Sequence, residues 1–251
     1  MALFNLGTLG STPVIKNNFD LTTSEPTDVF QFKITNASNI NLSLTDISTG
    51  DDADLRLYRD VNSNGILDAI DRASGFVAFS FKEGNADEAI NAKANAGTYF
   101  AEVSRFALNS SGDVSYNLDL SATRPAYTAD FSNLLPKEFN IGQLSTDVTR
   151  TDCVNDYNTA DVYSFSLGLF QGVDIHLTRL SSDADIRLIL DFDGDRIVDA
   201  GEEIARSVNA GSASELISNI TLSGNYLLQV NQFSGNTAYA LTFDQFTTPE
   251  A

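Results

Sequence analysis

The chain contains no tryptophan, one cysteine, one histidine and one methionine, and it sets only 15 lysine and arginine residues against 34 aspartates and glutamates in 251 residues. Each shortage excludes something. A single thiol, Cys153, forms no intramolecular disulfide, so the fold has no covalent staple and the cysteine count does not identify a redox compartment. A single histidine, His176, cannot supply the two ligands of an HExxH zinc helix. A G-x-S-x-G elbow is absent, and no glycine-rich phosphate loop follows a strand. Without tryptophan, which usually surrounds a glycosidase cleft, that activity is poorly supported, although acidic residues are abundant. The formal net charge of -19 and pI near 4.1 disfavour phosphate backbones and anionic headgroups, and so nucleic acid or a membrane surface, as partners; divalent cations are favoured. No apolar run reaches the roughly 18 residues of a membrane span. The opening MALFNLGTLGSTPVIKNN lacks a basic stretch followed by a long apolar run, so no cleavable signal peptide is expected. Three expectations stay open: a fragment of a larger protein, export without an N-terminal signal, or retention inside the cell.

What is present is written twice. FNLGTL (4–9) is answered by FNIGQL (139–144), TDVFQFKI (27–34) by ADVYSFSL (160–167), DADLRLYRD (52–60) by DADIRLILD (183–191), GTYFAEV (97–103) by GNYLLQV (224–230), and SYNLDL (115–120) by AYALTF (238–243). The offset between copies shrinks along the chain, so the second copy has shorter loops. The expected organisation is a first module over 1–122, a linker over 123–138 and a second module over 139–251.

The repeated blocks alternate apolar and polar residues with period two. Phe30, Phe32 and Ile34 share a face, as do Ile40, Leu42 and Leu44; Leu55 and Leu57; Tyr99, Ala101 and Val103; and Tyr116, Leu118 and Leu120. Turns rich in Gly, Asn, Asp and Ser separate them. About eight short strands per copy and no helical stripe imply an all-β fold of two tandem β-sandwiches. The stretch 83–97 reads as loop.

Two twelve-residue windows stand at equivalent places, DVNSNGILDAID (60–71) and DFDGDRIVDAGE (191–202). A calcium ion takes about six to eight hard oxygen ligands, and a loop can deliver them from positions 1, 3, 5, 7, 9 and 12 around a tight turn at position 6. The first window offers Asp60, Asn62, Asn64, the carbonyl of Ile66, Asp68 and Asp71, with Gly65 at the turn. The second offers Asp191, Asp193, Asp195, the carbonyl of Ile197, Asp199 and Glu202, with Arg196 at the turn, where a positive φ is needed. Strand alternation on the flanks replaces the helices of an EF-hand, so calcium loops between strands are expected, one Ca2+ per module. The second loop, with five carboxylates, is expected to bind more tightly and to repel itself more when empty. The competing reading is a pair of solvated acidic turns, Asn-Gly being an ordinary hairpin signal. Asp52, Asp54, Asp183 and Asp185 repeat too, either completing these sites or capping the strand.

With Asp28, Phe30 and Phe32 answered by Asp161, Tyr163 and Phe165, DADLRL by DADIRL, and Gly97, Tyr99 and Val103 by Gly224, Tyr226 and Val230, the chain resembles a tandem of bacterial pre-peptidase C-terminal domains, related to the collagen-binding domains of clostridial collagenases. The resemblance implies jelly-roll-like sandwiches, secretion, calcium binding and a non-catalytic accessory role beside an exported enzyme. An extracellular polymer such as collagen or a glycan, or a secreted peptidase, is the alternative partner class, and a hydrolase is the least supported reading. His176 falls on the outward face of VDIHLTRL, and Cys153 has no histidine near it in sequence.

Overall fold

Alternation gives every strand one apolar face, and two sheets must meet to remove those faces from water. The computed structural model describes residues 2–107, 112–127 and 130–249 and meets this demand twice. Two compact units result, Met1–Pro125 with Ser132–Pro136, and Ala126–Phe131 with Lys137–Ala251. The stretch 123–138 is therefore divided between them, and its residues 128 and 129 lie outside the described residues.

The first module runs β1 (Ala2–Thr8), β2 (Phe19–Leu21), β3 (Thr27–Ile34), β4 (Ser38–Thr45), β5 (Asp52–Arg59), α1 (Ala69–Ser74), β6 (Phe76–Ser80), β7 (Glu88–Ala94), β8 (Gly97–Ala107) and β9 (Val114–Thr123). One sheet has the order β1-β3-β8-β5-β6 and the other β2-β9-β4-β7. The second module runs β10 (Phe139–Gln143), β11 (Val148–Val154), β12 (Ala160–Leu167), β13 (Gln171–Thr178), β14 (Asp183–Leu190), β15 (Glu203–Ser207), β16 (Glu215–Ile220), β17 (Gly224–Ser234) and β18 (Thr237–Thr247). Its sheets, β10-β12-β17-β14-β15 and β11-β18-β13-β16, repeat the order of the first. In each module the first strand pairs parallel with its neighbour and the other named pairings are antiparallel. The all-β class and the tandem of sandwiches agree with the alternation that foretold them.

The inward residues read from the sequence form the cores: Phe30, Phe32, Ile34, Ile40, Leu42, Leu55, Tyr99 and Leu118 in one module, and Phe165, Ile175, Ile186, Leu188, Tyr226 and Phe243 in the other. Each such side chain contributes on the order of 1.5–3 kcal/mol through burial. Two departures stand out. The stretch 83–97, read as loop, holds β7, whose Ile90, Ala92 and Ala94 face the core. Small alanines replace the β-branched residues that usually mark a strand, and burial against the opposite sheet overrides their weak local preference. The one helix among the described residues, α1, begins within the first acidic window and runs past its end.

Two polar clasps, each present in both copies, tie the paired sheets together. The Tyr116 hydroxyl donates to Asp28 Oδ2 at 2.7 Å, and the Tyr239 hydroxyl to Asp161 Oδ2 at 2.5 Å. Burial is the main cause that raises the Asp28 carboxyl above its ordinary range, opposed by the Tyr116 bond. The second clasp is a fully buried glutamate at the start of a strand. Glu88 accepts from the Ser80 hydroxyl and, at 2.5 Å, from the Lys82 amide; Glu215 accepts from the Ser207 hydroxyl and, at 2.9 Å, from the Asn209 amide. Burial pushes the Glu88 carboxyl up to about 7, against the hydrogen bonds that favour its charged form.

Candidate metal centre

Each acidic window leaves the end of a central strand, β5 or β14, and returns to the edge strand of the same sheet. Its backbone must reverse within a few residues, so its amides turn inward and need acceptors. The acidic and amide side chains supply them in the same order twice. At position 1, Asp60 accepts from the amides of Asn64 at 3.2 Å and Gly65 at 3.0 Å, and Asp191 from those of Gly194 at 2.8 Å and Arg196 at 3.3 Å. At position 3, Asn62 accepts from Asn64 N at 3.1 Å and Asp193 from Asp195 N at 3.2 Å. At position 5, Asn64 accepts from Ile66 N and Asp195 from Ile197 N, both at 2.8 Å. The last residue closes the loop. Asp71 takes the amides of Val61 at 2.9 Å and Asp68 at 3.2 Å, and Glu202 those of Phe192 at 2.9 Å and Asp199 at 2.8 Å.

The backbones match as well. Positive φ occurs at positions 4 and 6 of both windows, at Ser63 (58°) and Gly65 (74°) in the first and at Gly194 (80°) and Arg196 (65°) in the second. The glycine has moved from one left-handed position to the other, and Arg196 takes the conformation that Gly65 takes without steric cost.

The windows differ in charge and anchorage. In the first, the amides of Asn62 and Asn64 donate to Asp68 Oδ2 at 2.9 and 2.8 Å, and the Asn62 bond leads the causes that lower the Asp68 carboxyl below its ordinary range. In the second, carboxylate oxygens of Asp191, Asp193 and Asp195 lie within 4.8 Å of one another. Burial, and then repulsion among neighbouring carboxylates, holds Asp191 and Asp195 above the usual range despite bonds from backbone amides. The first loop is also seated by α1, whose N-cap is Asp68 and whose capping box uses Asp71. Leu67 packs with Val29, Tyr58 and Phe100, while Arg72 pairs with Glu102 and lies 5.6 Å from the Tyr58 ring.

Asp60, Asp71 and Glu202 are buried, Asp68, Asp191 and Ile197 half-buried, and Asn62, Asn64, Ile66, Asp193, Asp195 and Asp199 exposed. Each set thus gathers in one loop. Asp52, Asp54, Asp183 and Asp185 do not join them: six residues of extended strand, about 20 Å, separate Asp54 from Asp60 and Asp185 from Asp191. Sequence reasoning passed over Glu88 and Glu215, although the Ser-x7-Glu spacing of Ser80 and Ser207 repeats in plain view. Exposed Cys153 pairs in register with Ala238 and half-buried His176 with Thr242, on opposite flanks of β18. They are therefore about 13 Å apart along the strand direction and two strand spacings, about 10 Å, across it.

Residues 26–105 match the family model described as the bacterial pre-peptidase C-terminal domain. The match lies within the first module, whose strand order the second module repeats. Among solved structures, the chain is similar to the pre-peptidase C-terminal domain of a collagenase from Bacillus anthracis, at 22% identity over 48% of this chain and 93% of that one, with a TM-score of 0.34. It is also similar to PliG of Aeromonas hydrophila, a periplasmic inhibitor of g-type lysozyme, at 18% identity over 44% and 98%, with a TM-score of 0.28. The CUB1-EGF-CUB2 region of human MASP-1/3 matches at 8% identity over 94% and 99%, with a TM-score of 0.28. No curated protein matches the chain. No helix among the described residues is long and apolar enough to cross a membrane.

The two turns make a paired prediction. Arg196→Gly removes a left-handed non-glycine residue and is expected to stabilise the chelator-treated protein by up to about 1 kcal/mol in urea unfolding. Gly65→Ala, whose Cβ meets Gln31 Nε2 at 3.3 Å, is expected to cost about that much. Equal effects at both positions would mean that the loops do not share one backbone.

Proposed function

We propose that the chain is a non-catalytic, calcium-stabilised pair of β-sandwiches that serves as an accessory or binding region of a secreted protein. The observation that carries this reading is the doubled hydrogen-bond pattern of the two windows, each holding its turn with oxygen-bearing side chains from positions 1, 3, 5 and 12. The converging carboxylates of Asp191, Asp193 and Asp195 fit a hard divalent cation, which would offset their mutual repulsion. In the first loop the amides of Asn62 and Asn64 would turn their oxygens inward to the ion. An ion at ten times its dissociation constant adds about 1.4 kcal/mol per site, appreciable against a total domain stability of about 5–15 kcal/mol. Calcium then serves as a locator: the modules are stiffer where it is plentiful. The family match supports an accessory rather than a catalytic role.

The test is calorimetry with calcium on the chelator-stripped protein. Loss of one loop site in Asp60→Ala and of another in Asp191→Ala, each with a lower melting temperature in calcium, is the expected outcome. Unchanged heats and melting in calcium would reduce both windows to acidic turns.

A second reading, recognition of a polymer or protein, has its own observation. On the first module Phe76, Phe79, Phe81 and Phe106 are 50%, 57%, 48% and 74% exposed. The rings of Phe79 and Phe81 lie 4.4 Å apart, and the Arg56 guanidinium sits 4.4 Å over Phe81. Phe81, Phe106 and Arg56 border a groove of about 380 Å³ lined also by Asp52, Asp54 and Lys82. The second module places Glu203, Arg206 and Val208 at the positions of the first three rings. An aromatic patch on an edge strand is a contact surface for an extended chain. Phe79→Ser with Phe81→Ser is expected to abolish retention on an immobilised matrix polymer or secreted peptidase that holds the unaltered protein, with melting unchanged. Equal retention of both proteins would remove the patch from the account.

A further inference from the structure

We propose that the groove beside the exposed rings of the first module receives one cationic side chain, lysine or arginine, from an extended polypeptide. The proposal rests on the aromatic patch being a contact surface and names what that surface takes. Strand pairing builds the groove. Arg56 of β5 lies opposite Phe79 of β6, and its Nη1 donates to Ser104 Oγ of β8 at 2.6 Å. Alternation therefore sets Asp54, Arg56, Phe79 and Phe81 on one outward face of the sheet. Phe106, two residues beyond Ser104, lines the groove together with Phe81.

Charge decides the occupant. Asp52, Asp54 and Glu83 line the groove against Arg56 and Lys82, three carboxylates to two cations, so one negative charge is left over. Asp52 is 7% exposed, and its Oδ1 has no hydrogen-bond partner. Such an oxygen is stabilised best by a donor that carries positive charge. A single ammonium or guanidinium balances the count, whereas an anion would add to the excess. The walls favour the same guest, because a cation over an aromatic face is attracted by the ring quadrupole. Arg56 already shows this mode in the groove, its guanidinium 4.4 Å over Phe81 and 3.4 Å from Asp54. Phe106 is 74% exposed and offers a second ring.

The second module shows the alternative. Arg206 lies opposite Arg187 at the register position of Phe79, and Val208 follows where Phe81 stands in the first. A resident cation, held by Glu203 at 2.5 and 2.6 Å, thus occupies the place where the first module keeps a ring. Strand β6 is also the edge of its sheet, so an extended segment lying along it can lower one side chain into the groove.

The test is fluorescence-anisotropy titration of the whole chain with a labelled, capped peptide that alternates serine and lysine. Matched peptides carry arginine, glutamine or glutamate in place of lysine. The salt is about 0.15 M, which screens exposed charges from one another beyond about 8 Å. Phe106→Leu keeps every charge, and Asp52→Asn removes one carboxylate of the groove. The lysine and arginine peptides are expected to bind and the other two not. Phe106→Leu is expected to weaken that binding about 3- to 10-fold, and Asp52→Asn to weaken it as well, with melting unchanged. Should Asp52→Asn not fold, Phe106→Leu decides alone. Equal binding by the unaltered chain and Phe106→Leu would mean attraction to the acidic surface at large, and it overturns the proposal. Absence of binding by both cationic peptides overturns it too. If Phe79→Ser with Phe81→Ser still loses retention on the polymer or peptidase in either case, the patch remains a contact surface and only its cationic guest is removed; if retention is also unchanged, both readings fall.

Discussion

The carboxylate that closes each acidic window is the contact on which the local architecture depends. Asp71 and Glu202 are buried and hold two backbone amides apiece, one from each limb of the loop. Without that acceptor the amides of positions 2 and 9 would be left without these partners and the strand ends would splay. Because that carboxylate is spent on the backbone, the loop's remaining amides fall to the other acidic and amide side chains, and in the second window Asp191, Asp193 and Asp195 converge.

An acidic chain confronts this arrangement with a difficulty that recurs through the molecule. With a net charge of -19, each buried carboxylate needs a donor or a cation. The chain uses several answers: tyrosine hydroxyls at Asp28 and Asp161, serine hydroxyls and amides at Glu88 and Glu215, and a guanidinium at Asp54. In the second module Arg187 and Arg206 both turn to Glu203 instead. Duplication has thus produced two modules of one fold with different electrostatic debts.

Much of this was legible in the sequence. Inward residues such as Phe30, Leu42 and Tyr99 declared themselves by alternation, because one face of a sandwich strand must be apolar, and the duplication located equivalent strands without any other guide. The acidic and amide positions of each window fall in a single loop because local spacing alone determines that. Three things were not legible. Strand β7 is written in alanines, which carry little strand preference. Helix α1 occupies six residues, too few for a periodic pattern, and exists because Asp68 and Asp71 cap it and Arg72 anchors it to Glu102 on the sheet. The clasp glutamates and the groove of the first module depend on which strands become neighbours in space, which spacing along the chain does not specify.

The central claim is that a cation fixes loops whose hydrogen-bond frame already exists. Amide hydrogen exchange read at Val61, Asp68, Phe192 and Asp199, with and without calcium, addresses it directly, since these are the four amides held by the closing carboxylates. Slower exchange at all four in calcium, with little change at core amides such as Leu42 and Ile175, is the result this account predicts. Exchange that is the same in chelator and in calcium would contradict it.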